Sequence, residues 1–248
     1  MDLTAYRQSP RERERTKDLF KLIPPSGDRA LDVGARDGHM ARLLAERYRE
    51  VTALDLEKPE IDQIGIVPVQ GNAVSLPFDD NWFDLVLCAE VLEHIPNPDL
   101  STVCQELQRV CRGSIVIGVP YLQDLRFGQT TCSSCGAINP PWGHVNTFSE
   151  QTLRQLFADF RLGQFSFVAI SRERTNPLSA ALMTYAGNPY GTYEQDEACI
   201  KCGRSVGQPS PRNITQKIAT KIAFTLNDLQ AQLTSPRPNW IHALFHRR

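Results

Sequence analysis

Four cysteines of this chain fall into two matching frames, Cys132-Ser-Ser-Cys135-Gly136 and Cys199-Ile-Lys-Cys202-Gly203. In each frame the N–H groups of the turn can support thiolates while the glycine takes the tight bend. Together they offer the four sulfur ligands of a tetrahedral zinc, stapling two stretches that are far apart in sequence. Four thiolates fill the shell and leave no open position for a substrate, so the expected metal is structural. Two unlinked thiol pairs, or redox or disulfide chemistry, are the alternatives. A second chemistry lies in Ala30-Leu-Asp-Val-Gly34-Ala-Arg-Asp-Gly38-His39. A short apolar strand, a glycine turn and a helix start leave backbone N–H groups free and let a ligand approach the main chain closely. The next strand ends in Asp55, about twenty residues on, where a carboxylate suits a ribose with free hydroxyls.

The dinucleotide fingerprint G-x-G-x-x-G fails here, because Arg36 and His39 occupy its second and third glycine positions. The pattern acid-x-Gly-x-x-x-Gly, with Asp32, Gly34 and Gly38, resembles the first motif of the class I S-adenosylmethionine-dependent methyltransferases. The resemblance continues in order. Asp55 and the following Leu56 match the ribose-binding position. Gly71-Asn72-Ala73, then Leu76-Pro77-Phe78, resembles the adenine segment. Phe83-Asp-Leu-Val-Leu-Cys88-Ala-Glu90-Val-Leu-Glu93-His94 resembles the segment after strand four in the branch of ubiquinone-biosynthesis O-methyltransferases.

This resemblance implies that S-adenosyl-L-methionine is held by Asp32, Gly34, Ala35, Arg36, Gly38, Asp55, Leu56, Asn72, Ala73 and Glu90. Two departures stand out. Arg36 replaces a usual glycine, where it either weakens cofactor affinity or pairs with the cofactor carboxylate. Asn72 replaces a commoner Asp, and its carbonyl oxygen can still accept from the adenine amino group. His94 is the first candidate for taking a proton from an acceptor hydroxyl; the alternative is a residue that fixes the loop before Pro96. His144, in His-Val-Asn-Thr-Phe-Ser149, is the second, against a loop-anchoring role, and Trp142 and Tyr121 are candidate pocket walls.

To position these residues the chain must be α/β: a Rossmann-like, doubly wound, mostly parallel sheet of six or seven strands, with a zinc-knuckle insertion and a C-terminal helical tail. Strands are expected near 29–33, 51–54, 66–70, 83–88, 114–118 and 164–170, and helices near 40–48, 100–110 and 150–160. Ser9, Ser149, Asn176 and Asn213 are expected N-caps. The expected organisation is an N-terminal helical lid over 1–28, a methyltransferase domain over 29–204 carrying both knuckles, and a C-terminal helical extension over 205–248. In the lid, Arg11 to Arg15 alternates basic and acidic residues. A solvated face with self-compensating charge is the plain reading, and an anionic-substrate or lid patch the sharper one. In the tail, Ile214, Ile218, Ile222, Leu226, Leu229 and Leu233 share a helix face, expected to pack on the core, to self-associate or to lie on a membrane surface.

The 248 residues carry a net charge of −1, which argues against a generic nucleic-acid binder. No apolar run approaches the roughly 20 residues that span a bilayer. The polar N-terminus is not a secretory signal, so a cytoplasmic location is expected, where seven cysteines favour thiols and metal over disulfides. Cys88, Cys104 and Cys111 read as small buried hydrophobes. The expected acceptor is a small molecule or a glycan. An RNA or protein methyltransferase, or a non-catalytic scaffold of the same fold, are the alternatives.

Overall fold

A computed structural model describes residues 7–248, so the first six residues of the expected lid lie outside the described residues. The described chain divides into two units. One, the sheet unit, holds residues up to Leu122, Phe148–Ala169 and Pro238–Arg248. The other, the cysteine unit, holds Gln123–Thr147 and Ile170–Arg237. This partition interleaves along the chain and does not follow the expected linear boundaries.

The sheet unit opens with α1 (Pro10–Leu22), where Ser9 Oγ accepts the Glu12 N–H at 3.2 Å and Pro10 occupies the first turn. Then come β1 (Gly27–Val33), α2 (His39–Leu44), β2 (Tyr48–Asp55), β3 (Ile66–Gln70), β4 (Phe83–Ala89), α3 (Asn97–Val110) and β5 (Cys111–Pro120). Within the cysteine unit lie the short strands β6 (Thr130–Thr131) and β7 (Ile138–Asn139). After α4 (Glu150–Leu156) and β8 (Phe160–Ser171) come α5 (Pro177–Tyr185) and α6 (Ile214–Leu233), and β9 (Arg237–Arg247) closes the chain.

The sheet runs β3-β2-β1-β4-β5-β9-β8. Its first five strands are parallel, and β9 joins β5 antiparallel, with Gly118 opposite His242 and Pro120 opposite Trp240. Successive strand residues enter opposite cores, as a doubly wound sheet requires. Leu85 and Leu87 of β4 pack with Leu19 and Leu22 of α1 and Met40, Ala41 and Leu44 of α2. Val86 and Cys88 pack with Val103 and Leu107 of α3 and Leu153 and Phe157 near α4.

Three expectations need correction. The helix expected over 40–48 ends at Leu44, and Tyr48 begins β2, buried among the α1 and α2 side chains. Arg47 there donates to the Phe20 and Ile23 carbonyls at 2.8 Å each, closing the end of α1 and forcing the chain to turn. The helix expected over 150–160 stops at Leu156, and Phe160 starts β8. The tail is helical only over α6. Ile241, Ala243 and Phe245 are fully buried at a spacing of two, and this alternation makes 237–247 a strand between β5 and β8.

In the cysteine unit, Asn176 and Asn213 each cap a helix, accepting the N–H three residues on at 2.9 Å. The small residues Ala219, Thr220 and Ala223 form the buried face of α6.

Candidate active site and metal centre

The turn after β1 takes its shape from its glycines. Gly34 and Gly38 have φ of 78° and 74°, the left-handed region that favours glycine. A Cβ at Gly34 would collide with Val91, and one at Gly38 with Ile61. The Gly34 and Ala35 N–H groups donate to the Leu54 carbonyl at 2.8 and 3.1 Å, so the turn closes onto the end of β2. Arg36 also stands at positive φ, 44°. Its side chain is exposed, while its N–H donates to Asp55 Oδ2 at 2.8 Å. Asp55 Oδ1 accepts the Leu56 N–H at 2.7 Å. Asp55 is therefore oriented by backbone at the tip of β2, and Leu56 lies open to solvent.

Beneath the turn, Asp32 is buried and its Oδ2 has no hydrogen-bond partner among the described residues. Burial lifts its carboxyl to about 7, against the guanidinium of Arg7 and the Ala41 N–H, which favour the anion. A buried, unpartnered carboxyl oxygen under a glycine turn is what a cationic ligand group would satisfy. Farther along the rim, Asn72 Oδ1 accepts the Val74 N–H at 3.0 Å, holding the turn through the buried Ala73. That bond uses one lone pair of the carbonyl oxygen expected to face adenine; the other remains.

After β4, Glu90 sits at φ 58° with its N–H on the Gly118 carbonyl at 2.8 Å. Its Oε2 accepts from Trp240 Nε1 at 3.1 Å, and its Oε1 lies 3.5 Å from Arg15. Arg15 is bound to Glu12 by hydrogen bonds of 2.7 and 2.8 Å, and both side chains are buried. Arg7 bridges Glu12 at 2.8 Å and Asp37 of the glycine turn at 3.0 Å. The alternating charges of α1 thus divide: Arg11, Arg13 and Glu14 are exposed, whereas Glu12 and Arg15 form a buried link from the turn to the β4 rim. Nothing in the sequence pattern separates these two sets, and Trp240 carried no signal until its strand was placed.

Glu93 is completely buried, neither carboxyl oxygen has a hydrogen-bond partner among the described residues, and burial, then the nearby Glu90, push its carboxyl well above the usual range. His94 follows in a 3-10 turn. Burial first, and then the positive Arg36, lower it to about 4, so it is neutral at pH 7. His144 belongs to the cysteine unit, where it is buried and its Nδ1 meets Gln123 Oε1 at 2.7 Å. Trp142, in the same unit, is exposed at φ 50°, and its N–H donates to Thr192 Oγ1. Tyr121, in the sheet unit, packs edge-on against Phe167.

The cysteine unit brings Cys132, Cys135, Cys199 and Cys202 together, all four Sγ atoms within 4.8 Å of one another. Cys132 and Cys202 are 3.8 Å apart, and Cys135 and Cys199 3.6 Å. A tetrahedron of sulfurs about 2.3 Å from zinc has edges of about 3.8 Å, so the donor set fits the metal. The two frames are built alike. Gly136 and Gly203, both at positive φ, donate to the Cys132 and Cys199 carbonyls at 2.8 and 2.9 Å. The frames also lock to each other: Ser133 N–H meets the Val206 carbonyl, and Ile200 N–H meets Asn139 Oδ1, at 2.9 Å each. The N–H groups of Cys202 and Lys201 lower the Cys199 thiol to about 6, favouring the thiolate a metal needs.

Against this geometry, residues 31–117 match the family model described as a methyltransferase domain. The chain is 31% identical over 138 residues to a demethylmenaquinone methyltransferase of Bacillus licheniformis, covering 50% of this chain and 57% of that protein. It is 32% identical over 91 residues to a ubiquinone biosynthesis O-methyltransferase of Xylella fastidiosa, covering 32% and 37%. The matches thus span little more than half of these curated relatives, or less. The fold resembles N-methyltransferase NodS from Bradyrhizobium japonicum, solved with S-adenosyl-L-homocysteine, at a TM-score of 0.54 and 15% identity over 99% of this chain and 92% of that one. The fold is that of the class I S-adenosylmethionine-dependent methyltransferases. The sequence likeness to a methyltransferase domain lies in residues 31–117, which hold the first five strands of the sheet but for the start of β1 and the end of β5.

Proposed function

We propose that this protein transfers the methyl group of S-adenosyl-L-methionine to an oxygen or nitrogen of a small-molecule or glycan-type acceptor, with a structural zinc in its cysteine unit. One observation carries the reading: the left-handed glycine turn set between a buried Asp32, whose Oδ2 has no partner among the described residues, and a backbone-oriented Asp55. Gly34, Ala35, Arg36 and Gly38 line the methionine side of the cofactor. Asp32 faces its cationic end, Asp55 with Leu56 meets the ribose, Asn72 with Ala73 borders the adenine, and Glu90 borders the transfer rim. The names of the two curated relatives, for demethylmenaquinone and for ubiquinone biosynthesis, support a small-molecule acceptor.

The cofactor's methyl group is already an activated sulfonium electrophile, so the protein's task is alignment and water exclusion. Glu90, held by Trp240 and flanked by Arg15, is fixed in place as a wall of that rim. His94 is neutral at working pH and takes the acceptor's hydroxyl proton; His144 is the second candidate. Cys132, Cys135, Cys199 and Cys202 would hold the zinc with no vacant position, which keeps the metal out of the chemistry.

The test is transfer of labelled methyl groups into fractionated extract, followed by His94→Ala. The expected outcome is at least a tenfold loss of turnover with S-adenosylhomocysteine affinity changed less than twofold. Equal loss of both would make His94 a structural residue.

A further inference from the structure

Helix α6 buries its small residues and displays its large ones. Ala219 and Ala223 are 6% and 0% exposed, whereas Ile214, Ile218, Ile222, Leu229 and Leu233 are 47–79% exposed. At 3.6 residues per turn these five fall within a band of roughly 100°. Sequence periodicity alone suggests that such a band packs inward. Here the inward face is the alanine side, and the aliphatic band stands exposed among the described residues. Lys217, Lys221 and Asp228 are exposed along one edge of that band.

We infer that this band pairs with the same band of a second copy of the chain, the two helices running antiparallel about a two-fold axis near residues 222 and 223. The edge charges carry the choice of occupant and of direction. With the axis there, Lys217 lies across from Asp228 of the partner subunit, with Lys221 one turn away, and symmetry repeats the pair. The axis stands perpendicular to the plane of the two helices, so the charged edge of each copy lies beside the same edge of the other. A parallel pair would put the two charged edges on opposite sides, unpaired, and align the helix dipoles unfavourably. A membrane surface is the poorer occupant. A surface-seeking helix carries a strongly basic polar face with aromatic anchors on its apolar band, whereas this one carries only two lysines and an aspartate, and its one aromatic, Phe224, lies off the band against Tyr190. Among the described residues no helix is long and apolar enough to cross a membrane.

The experiment is light scattering coupled to size exclusion on the full, zinc-replete chain across a hundredfold range of concentration. The wild type is expected to run as a dimer that dissociates on dilution. Ile218→Glu with Ile222→Glu should give a monomer throughout. Both positions are exposed, so the fold survives, as circular dichroism would check. Asp228→Lys should raise the dissociation constant about tenfold by replacing two attractive pairs with two repulsive ones. Adding Lys217→Asp and Lys221→Asp to it should restore wild-type association. A wild-type monomer at every concentration overturns the inference. So does a dimer indifferent to the two glutamates, or a monomer that binds anionic phospholipid vesicles through this band. A dimer indifferent to Asp228→Lys overturns the antiparallel arrangement. The readout is mass, so its failure leaves the methyl-transfer reading untouched.

Discussion

The glycine turn of the sheet unit and the two knuckles of the cysteine unit use the same local device for different ends. Gly34 and Gly38 in one, and Gly136 and Gly203 in the other, adopt positive φ so that N–H groups point inward. Around the first turn, two aliphatic cores on either face of a seven-stranded sheet do the holding. Around the second there are a two-stranded ribbon, a helix pair and, among the described residues, few buried apolar side chains larger than alanine, among them Cys132, Cys199 and Val206. A turn braced by a large core can leave one carboxyl oxygen of an acid such as Asp32 without a partner among the described residues. A unit with little apolar core needs another source of stability, and four gathered thiols would supply it by closing on the proposed zinc.

This contrast is broken or sharpened most strongly by metal removal. Chelation, or Cys199→Ser, should unfold the cysteine unit alone, at a cost of several kcal/mol. Part of the circular dichroism signal would be lost while the cooperative melt of the sheet unit remains, and one bound zinc per chain by elemental analysis would fall to none. Loss of the whole fold in one step would show that the sheet is not self-sufficient.

The next largest effect concerns Asp32. Its folded carboxyl is raised to about 7 from an ordinary value near 3.8, so the fold favours the protonated form. The stability this contributes is complete below about pH 4 and is lost as pH rises through 7. Asp32→Asn should therefore stabilise the ligand-free protein by about 1–3 kcal/mol at pH 8 and scarcely at pH 4, as paired urea titrations would measure. Cofactor binding calls for the carboxylate, so S-adenosylhomocysteine affinity should fall up to tenfold per unit as pH drops below 7. The complementary group is His94, lowered to about 4 from 6.5. The fold favours its neutral form, so its contribution is complete above about 6.5 and is lost as pH falls toward 4, and His94→Asn should flatten that acid limb.

The smallest effect is at Arg36. Its φ of 44° is the conformation glycine takes freely, which accounts for a glycine being usual there in the resembling family. Arg36→Gly should stabilise the fold by about 0.5–1 kcal/mol by removing backbone strain. The same variant, tested for cofactor affinity, separates a guanidinium that aids binding from one that hinders it.

Much of the sheet unit was legible because its signals are local. The glycine turn, Asp55 at a strand tip, and the caps at Ser9, Ser149, Asn176 and Asn213 each need only a few neighbouring residues. The last strand was not legible as such. Its pairing with β5 joins residues more than a hundred apart in sequence, and the preceding α6 invites a helical reading of the tail. The Glu12–Arg15–Glu90–Trp240 link was hidden for the same reason: three elements converge, and none of their patterns marks it. The α6 band was legible, but its direction was left open among the core, a second copy and a membrane surface, because periodicity reports that a helix has an apolar face and not whether an alanine face competes for burial.

Cofactor binding by the glycine turn is tested most directly by calorimetric titration of S-adenosylhomocysteine into the zinc-replete protein. Micromolar binding that weakens at least thirtyfold on Asp55→Ala, while the melting temperature holds, is the expected result. Absence of binding by a folded wild-type protein, or binding indifferent to Asp55→Ala, would contradict it.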